Sequence, residues 1–167
     1  MMNKMLAVSF IGLLVTGCSE PEAGVKAGLG EPYQKYYKEA WAVSSQGKPP
    51  LVECARVVGM AAGMFTAKKD KNNEAQQAYE ACYVDAFVNY ANAYFALEDN
   101  AVIERGAPKG CLMYERSLRM HKSAMDSYAE RFNLNLQDLD ARIRQGLGKA
   151  AALCVSNYAK LLSEVQI

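Results

Sequence analysis

The stretch that decides the fold is Glu74–Leu97, EAQQAYEACYVDAFVNYANAYFAL. Its aromatic residues recur at intervals of four, four, three and four positions: Tyr79, Tyr83, Phe87, Tyr90 and Tyr94. Because an α-helix completes one turn in about 3.6 residues, this spacing places the five rings on one face. We predict a long helix over Glu74–Leu97 whose aromatic face belongs to the core, with a ligand-stacking surface as the alternative.

Apolar residues at helical spacing predict four further helices, over Tyr33–Ser44, Leu51–Ala67, Cys111–Phe132 and Leu136–Val165. Short polar breaks at 68–73 and 133–135 join neighbouring helices as antiparallel hairpins. No segment shows the alternation of a β-strand. The predicted fold class is therefore all-α, an up-down bundle of four long helices plus an N-terminal amphipathic helix, in one domain over residues 31–167.

Small residues indicate where two of these helices could approach closely. Ala55, Gly59 and Gly63 recur every four residues on the second helix, and Gly146 and Ala150 do so on the last. Glycine inside a helix costs about 0.5–1 kcal/mol relative to alanine, and close approach of another backbone would compensate for this cost. We therefore expect the small-residue faces of these two helices to pack against each other, with a self-association or partner surface as the alternative. The inner side of the second helix is expected to comprise Leu51, Ala55, Val58, Ala62 and Phe65.

Residues 98–110 form the longest break between predicted helices. We expect a short helical turn at Val102 and Ile103, capped by Asn100. Long loops in small domains often carry function, and the simpler alternative is that these two apolar residues pack against the end of the bundle.

Four cysteines lie in the predicted helices: Cys54, Cys82, Cys111 and Cys154. An even number without a C-x-x-C pair is typical of a disulfide framework. With a helix rise of about 1.5 Å per residue, each cysteine can be given a height along the bundle, measured from the nearest predicted turn. The heights of Cys111 and Cys154 agree to about 5 Å, and those of Cys54 and Cys82 to roughly 8 Å. The heights of Cys82 and Cys111 would differ by about 18 Å, too far for a disulfide. We predict Cys54–Cys82 and Cys111–Cys154, one within each helical hairpin.

An apolar run of eleven residues at the N-terminus, Met5–Val15, is preceded by Lys4 and followed by Thr16-Gly17-Cys18. It is shorter than the roughly 20 residues that a membrane span needs, and the layout is that of a secretory signal. Val15-Thr16-Gly17-Cys18 resembles the lipobox of bacterial lipoproteins. The resemblance implies that residues 1–17 are removed and that Cys18 carries the lipid anchor, and Ser19 after it implies an outer-membrane location facing the periplasm.

The mature chain would have 150 residues with 18 basic and 18 acidic side chains. This balance gives no bulk electrostatic attraction to nucleic acid, so no nucleic-acid partner is predicted. Residues 18–30 contain Pro21 and three glycines, and we predict a lipidated N-terminus followed by a tether. As a flexible coil, the tether would span on the order of 20 Å.

His121 is the only histidine, which excludes multi-histidine metal sites, and no Ser or Thr lies in a nucleophile-elbow setting, so no Ser-His-Asp triad is predicted. We expect it on a solvated face beside Lys122. The alternative is a haem or soft-metal site with Met120 or Met125. The carboxylates are scattered along polar faces, so neither a cofactor nor an enzymatic activity is predicted.

These observations favour a membrane-anchored, periplasm-facing lipoprotein that acts as a non-enzymatic protein-binding module, either an envelope-machine accessory or an immunity- or inhibitor-type protein. A protein partner of unknown identity is expected, and a homo-oligomer is also compatible. The candidate binding residues are Tyr33, Tyr37, Trp41, Val102, Ile103 and Arg105. The alternative function is a small-ligand or haem/metal carrier that uses the aromatic and Met-lined interior.

Overall fold

The computed structural model describes residues 24–31, 33–65, 72–129 and 134–164, and Cys18 and the predicted signal lie outside these ranges. The described chain is mostly helical, as predicted. Its elements are α1 (Tyr33–Ser45), α2 (Leu51–Phe65), α3 (Asn72–Glu80), a π-helical segment (Ala81–Ala86), α4 (Phe87–Ala96), α5 (Glu98–Ala101), β1 (Ile103–Glu104), β2 (Ala107–Pro108), α6 (Cys111–Ala129), α7 (Leu136–Gly146) and α8 (Lys149–Glu164).

The core forms around the aromatic face that runs from α3 to α4. Tyr79, Tyr83, Phe87 and Tyr90 are at most 1% exposed, and Tyr94 is partly buried. Other elements contribute buried side chains that pack around these rings: Tyr33 and Tyr37 of α1, Val57 of α2, Tyr114, His121 and Met125 of α6, and Leu139 and Ile143 of α7. The prediction that the stripe is core is confirmed.

The predicted long helix is interrupted by the π-helical segment, in which hydrogen bonds run from residue i to residue i+5. The backbone carbonyl of Tyr83, inside this segment, accepts a hydrogen bond from His121 Nε2 at 2.7 Å. A side chain of α6 therefore satisfies a backbone group that is buried in the core.

Two disulfides cross-link the helices, and both were predicted from the heights of the cysteines. Cys54–Cys82 joins α2 to the π-helical segment with a Cα–Cα distance of 5.4 Å. Cys111–Cys154 joins the start of α6 to α8 with a Cα–Cα distance of 5.2 Å. Both distances lie within the usual range of about 4.4–6.8 Å.

The prediction of one continuous helix over Leu136–Val165 is wrong, because α7 ends at Gly146 and α8 begins at Lys149. The amide of Asn92 holds this break: its Nδ2 donates to the Gly146 carbonyl at 3.0 Å, and its Oδ1 accepts from the Gly148 N–H at 2.7 Å. A Cβ on Gly146 would lie 2.7 Å from a methyl group of Val88. The glycine lets the corner approach α4 closely.

The expected meeting of the small-residue faces does not occur. Ala55 and Gly59 are exposed, and a Cβ on Gly59 would contact nothing within 4 Å. The buried side of α2 contains Cys54 and Val57 instead, and the disulfide to Cys82 lies on this side. Gly146 packs against Val88 of α4 rather than against α2. The side chains of Val58, Ala62, Gly63 and Phe65 lie outside the described part.

The break at 98–110 also differs from expectation. The short helical turn is Glu98–Ala101, and Ile103 lies in a two-residue strand that pairs with Pro108 of β2. Asn100 does not cap a turn at Val102, because its Nδ2 donates to the Tyr94 carbonyl at 3.0 Å. The side chains of Val102 and Ile103 are exposed rather than packed on the end of the bundle.

Removing the disulfide that closes the larger loop is expected to destabilise the fold strongly. The double variant Cys111→Ala, Cys154→Ala opens a loop of 43 residues, and the chain-entropy model gives a loss of roughly 4 kcal/mol in the free energy of unfolding. Urea unfolding of the natural chain and the variant measures this. A variant within about 1 kcal/mol of the natural chain would contradict the expected entropic role of the cross-link.

The hydroxyl of Tyr114 is buried and makes no hydrogen bond within the described residues. A buried unpaired polar group costs roughly 1–3 kcal/mol, so Tyr114→Phe should raise the free energy of unfolding by about 1 kcal/mol. Tyr79→Phe is the matched control, because the Tyr79 hydroxyl donates to the Met125 carbonyl at 2.8 Å and its loss should destabilise. Chemical denaturation distinguishes the two signs.

Candidate functional site

Exposed apolar side chains occur in the β-hairpin between α4 and α6 and in the residues that flank it in the chain. We call Leu97, Val102, Ile103, Leu112 and Met113 the hairpin surface; their exposed fractions range from 48% for Val102 to 77% for Leu112. Apolar area that stays in water forgoes about 25 cal/mol per Å² of stabilisation, and a set of such residues close together in the chain is typical of an interaction site. Two of them, Val102 and Ile103, are candidate binding residues from the sequence.

Backbone hydrogen bonds close the loop that carries the hairpin surface. The N–H of Lys109 donates to the Val102 carbonyl at 2.7 Å, and the N–H of Gly110 donates to the Asn100 carbonyl at 3.0 Å. The hydroxyl of Tyr94 also donates to the Gly110 carbonyl at 3.1 Å. The loop therefore returns to the end of α4, where these bonds fix it.

The close packing of the loop on α4 requires glycine at position 110. A Cβ at Gly110 would lie 2.9 Å from the Cβ of Asn100 and 3.0 Å from the ring of Tyr94. The next residue, Cys111, is held by its disulfide to Cys154 of α8. Because the loop is anchored at both of these residues, a partner would not have to order it on binding.

Arg105, the third candidate from this loop, occupies the turn between β1 and β2. Its φ is +53° and that of Gly106 is +84°, the sign pattern of a type I′ hairpin turn. Arg105 is exposed, and the ammonium of Lys109 lies 4.0 Å from Glu104 behind it. Charged side chains thus border the apolar residues.

The candidates on α1 divide into two groups. Tyr33 and Tyr37 are 1% and 3% exposed, so they belong to the core and contribute almost no accessible surface. This corrects their assignment as binding residues: both face the aromatic stripe because they follow the apolar period of α1. Trp41 is only partly buried, and its ring centroid lies 6.0 Å from that of Tyr37.

Trp41 lines a cleft of about 610 Å³ between α1, the π-helical segment, α4 and α7. Val84 and Val88 contribute apolar surface to it. The other lining residues are Tyr37, Asp85, Asn89, Asn92, Arg142, Gln145 and Gly146. The volume is in the range of small-molecule sites, roughly 300–1,000 Å³.

Paired charges make this cleft electrostatically balanced. Lys26 Nζ lies 2.6 Å from an Asp85 carboxylate oxygen, and an Arg142 nitrogen lies 2.8 Å from one of Glu80. Burial acts to raise the pKa of Glu80, but hydrogen bonds from Arg142 and Gln76 hold that pKa below its usual range. The cleft therefore offers no unpaired charge for an ionic ligand.

The polar residues of this cleft were not among the candidates predicted from the sequence. Asp85, Asn89 and Asn92 recur at intervals of four and three, so they form a polar stripe beside the aromatic one. The spacing of these three residues was the sequence signal that could have identified them. No sequence signal pointed to Arg142, because its place in the cleft depends on where α7 packs.

His121 is 1% exposed, so the expectation of a solvated face is wrong. Its ring stacks on Phe87 with centroids 3.7 Å apart, and Nε2 is used by the Tyr83 carbonyl. Burial lowers the pKa of His121 to about 3, against a smaller opposing effect of that hydrogen bond. The neutral imidazole is therefore a core group, and Met120 points away from it into solvent.

The interior next to the aromatic stripe is filled by rings. Phe87 lies 5.5 Å from Tyr90 and 6.3 Å from Tyr114, and Tyr83 lies 5.1 Å from His121, all between ring centroids. Such packing leaves little room beside Tyr83, Phe87 and Tyr90, which counts against a carrier that encloses its ligand there. Within the described residues, no group of three or more His, Cys, Asp and Glu is placed to hold a metal ion.

No protein-family model, curated protein or solved structure matches the chain. Among the helices that the structure describes, none combines the length and the apolar character needed to cross a bilayer. The class of protein that the fold defines is a helical domain cross-linked by two disulfides.

The buried His121 predicts a specific pH dependence of stability. The unfolded chain binds a proton on this residue near pH 6.5, but the folded chain does so only near pH 3. Stability from this group is therefore complete above pH 6.5 and is lost as the pH falls, by up to about 1.4 kcal/mol per pH unit. Urea unfolding of the natural chain and His121→Gln from about pH 7 to about pH 5 should show a steeper loss in the natural chain. Parallel curves would contradict a neutral buried imidazole.

Proposed function

We propose that the protein is a membrane-anchored, periplasm-facing lipoprotein that acts as a non-enzymatic protein-binding module, with the hairpin surface as its contact site. The observation that carries the proposal is the exposure of Ile103, on a hairpin closed by hydrogen bonds, and of Leu112, in the first turn of α6 next to the disulfide of Cys111. A partner that covers these side chains recovers roughly 1.5–3 kcal/mol for each one fully buried. The rigid loop keeps the entropic cost of binding low.

The composition of the surface supports a protein as the partner. An apolar centre with a charged rim is the usual anatomy of a protein–protein interface, and Glu104, Arg105 and Lys109 provide such a rim. An envelope-machine subunit and a toxic effector that this protein neutralises are the two partner classes that suit a periplasm-facing lipoprotein. The same surface on a second copy would give a homodimer.

The anchor and the compartment are parts of the same proposal. Val15-Thr16-Gly17-Cys18 supports lipidation of Cys18 and sorting to the outer membrane. The two disulfides support an oxidising compartment, because such cross-links are rare where thiols are kept reduced. We further propose an up-down order of the helices, which the placement of one disulfide in each predicted hairpin supports.

Charge introduced into the hairpin surface should weaken partner binding without unfolding the domain. We expect Ile103→Glu and Leu112→Glu each to reduce capture of the partner by at least about tenfold, since burying an unpaired carboxylate costs more than the 1.4 kcal/mol that tenfold represents. Met120→Glu is the matched control, because Met120 and Ile103 are both 56% exposed. Far-ultraviolet circular dichroism checks the fold of each variant.

The partner is first identified by site-specific photo-crosslinking in intact cells. A photoreactive residue at position 103 or 112 should give a crosslinked band that the same residue at 120 does not give. Mass spectrometry of that band names the partner for the binding measurement. Identical crosslinks from all three positions, or full binding by both hairpin variants, would show that the contact site lies elsewhere.

A further inference from the structure

The part of the predicted tether that the structure describes lies against the domain. Gln34 Nε2 donates to the Gly24 carbonyl at 2.6 Å, and Gln34 Oε1 accepts from the Lys26 N–H at 3.1 Å. Lys26 is also paired with Asp85, and the N–H of Gly30 donates to Glu74 at 3.1 Å. The spacer role predicted for 18–30 can therefore apply only to residues before Gly24.

We call Gly24, the first residue that the structure describes, the exit point of the N-terminal chain; it lies directly on Trp41. It is buried, its φ is +80°, and a Cβ there would lie 3.2 Å from the Cβ of Trp41. A side chain at this position would be strained by the backbone conformation and crowded by the indole. The location of the exit point is thus fixed by close packing.

The chain between this exit point and the lipid-bearing residue is short. Gly24 is six positions after Cys18, with five residues between them, and six steps of the chain span at most about 21 Å when fully extended. A folded domain of this size has a radius of gyration of about 14 Å and hence a diameter of roughly 35–40 Å. The connection cannot pass around the domain to place its opposite side at the anchor.

We infer that the face of the domain around Trp41 lies against the surface of the bilayer that holds the lipid of Cys18. The inference rests on the lipidation of Cys18 in the proposed function. The cleft lined by Trp41, Asp85 and Arg142 opens beside this face and is brought close to the lipid headgroups. The lipid anchor thereby determines the orientation of the domain as well as its location.

The chemistry of the face is compatible with headgroup contact. Tryptophan is favoured at the membrane–water interface, and Trp41 is partly exposed there. Lys26, next to the exit point, is neutralised by Asp85. No basic cluster on the described part of this face draws it to anionic lipid, so the short connection is what holds it in place.

The single tryptophan of the chain makes the orientation measurable. The full lipidated protein is reconstituted in phosphatidylethanolamine vesicles that contain a dansyl-labelled headgroup, and energy transfer from Trp41 to dansyl is recorded. A variant with about twenty Gly/Ser residues inserted between Glu22 and Ala23 lengthens the connection to a coil of roughly 28 Å. The control carries the same residues appended after Ile167, where they leave the connection unchanged.

We expect the natural chain and the C-terminal control to show equal transfer, and the insertion variant to show at least threefold less. Equal transfer in all three proteins would overturn the inference, because the length of the connection would then have no effect. Mass spectrometry of the same samples reports the lipid on Cys18. Absence of the lipid refutes the anchor and the orientation together, whereas lipidated proteins with equal transfer refute the orientation alone.

Discussion

The structure depends on the burial of one continuous aromatic face, and its centre is the stack of His121 on Phe87 with ring centroids 3.7 Å apart. The imidazole also donates a hydrogen bond to the buried Tyr83 carbonyl in the π-helical segment. One side chain therefore fills apolar space against Phe87 and supplies a partner for a buried backbone group. A charged imidazole could still donate to that carbonyl, but burial against the rings penalises its charge, which explains why this residue stays neutral. The helices that cover the stripe are arranged around this contact.

The two disulfides cross-link different pairs of elements. Cys54–Cys82 holds α2 against the π-helical segment, and its effect is on the stability of the core. Cys111–Cys154 holds the first residue of α6, directly after the hairpin, against α8. This disulfide therefore also restrains the residues next to the hairpin surface. Ile103 in the hairpin and Leu112 beside Cys111 are exposed on either side of this anchor.

Much of the architecture follows from local periodicity. The spacing of the aromatic residues in Glu74–Leu97 identified the core face, and helix rise identified both disulfide pairs, because these properties depend on one helix or one hairpin at a time. The sequence also indicated the loop that carries Val102 and Ile103. It could not show that Tyr33 and Tyr37 are buried while Trp41 is not, since all three lie on one apolar face.

What the sequence determined by itself is therefore the helical class, the aromatic core and the cysteine pairing, each set by spacing along the chain. Tertiary structure alone decided the break between α7 and α8, where the amide of Asn92 replaces helical hydrogen bonds across 54 and 56 positions of sequence. It likewise decided the burial of His121 and the docking of Gly24 on Trp41. These features join residues far apart in the chain, and a local pattern carries no information about which distant group will be the partner.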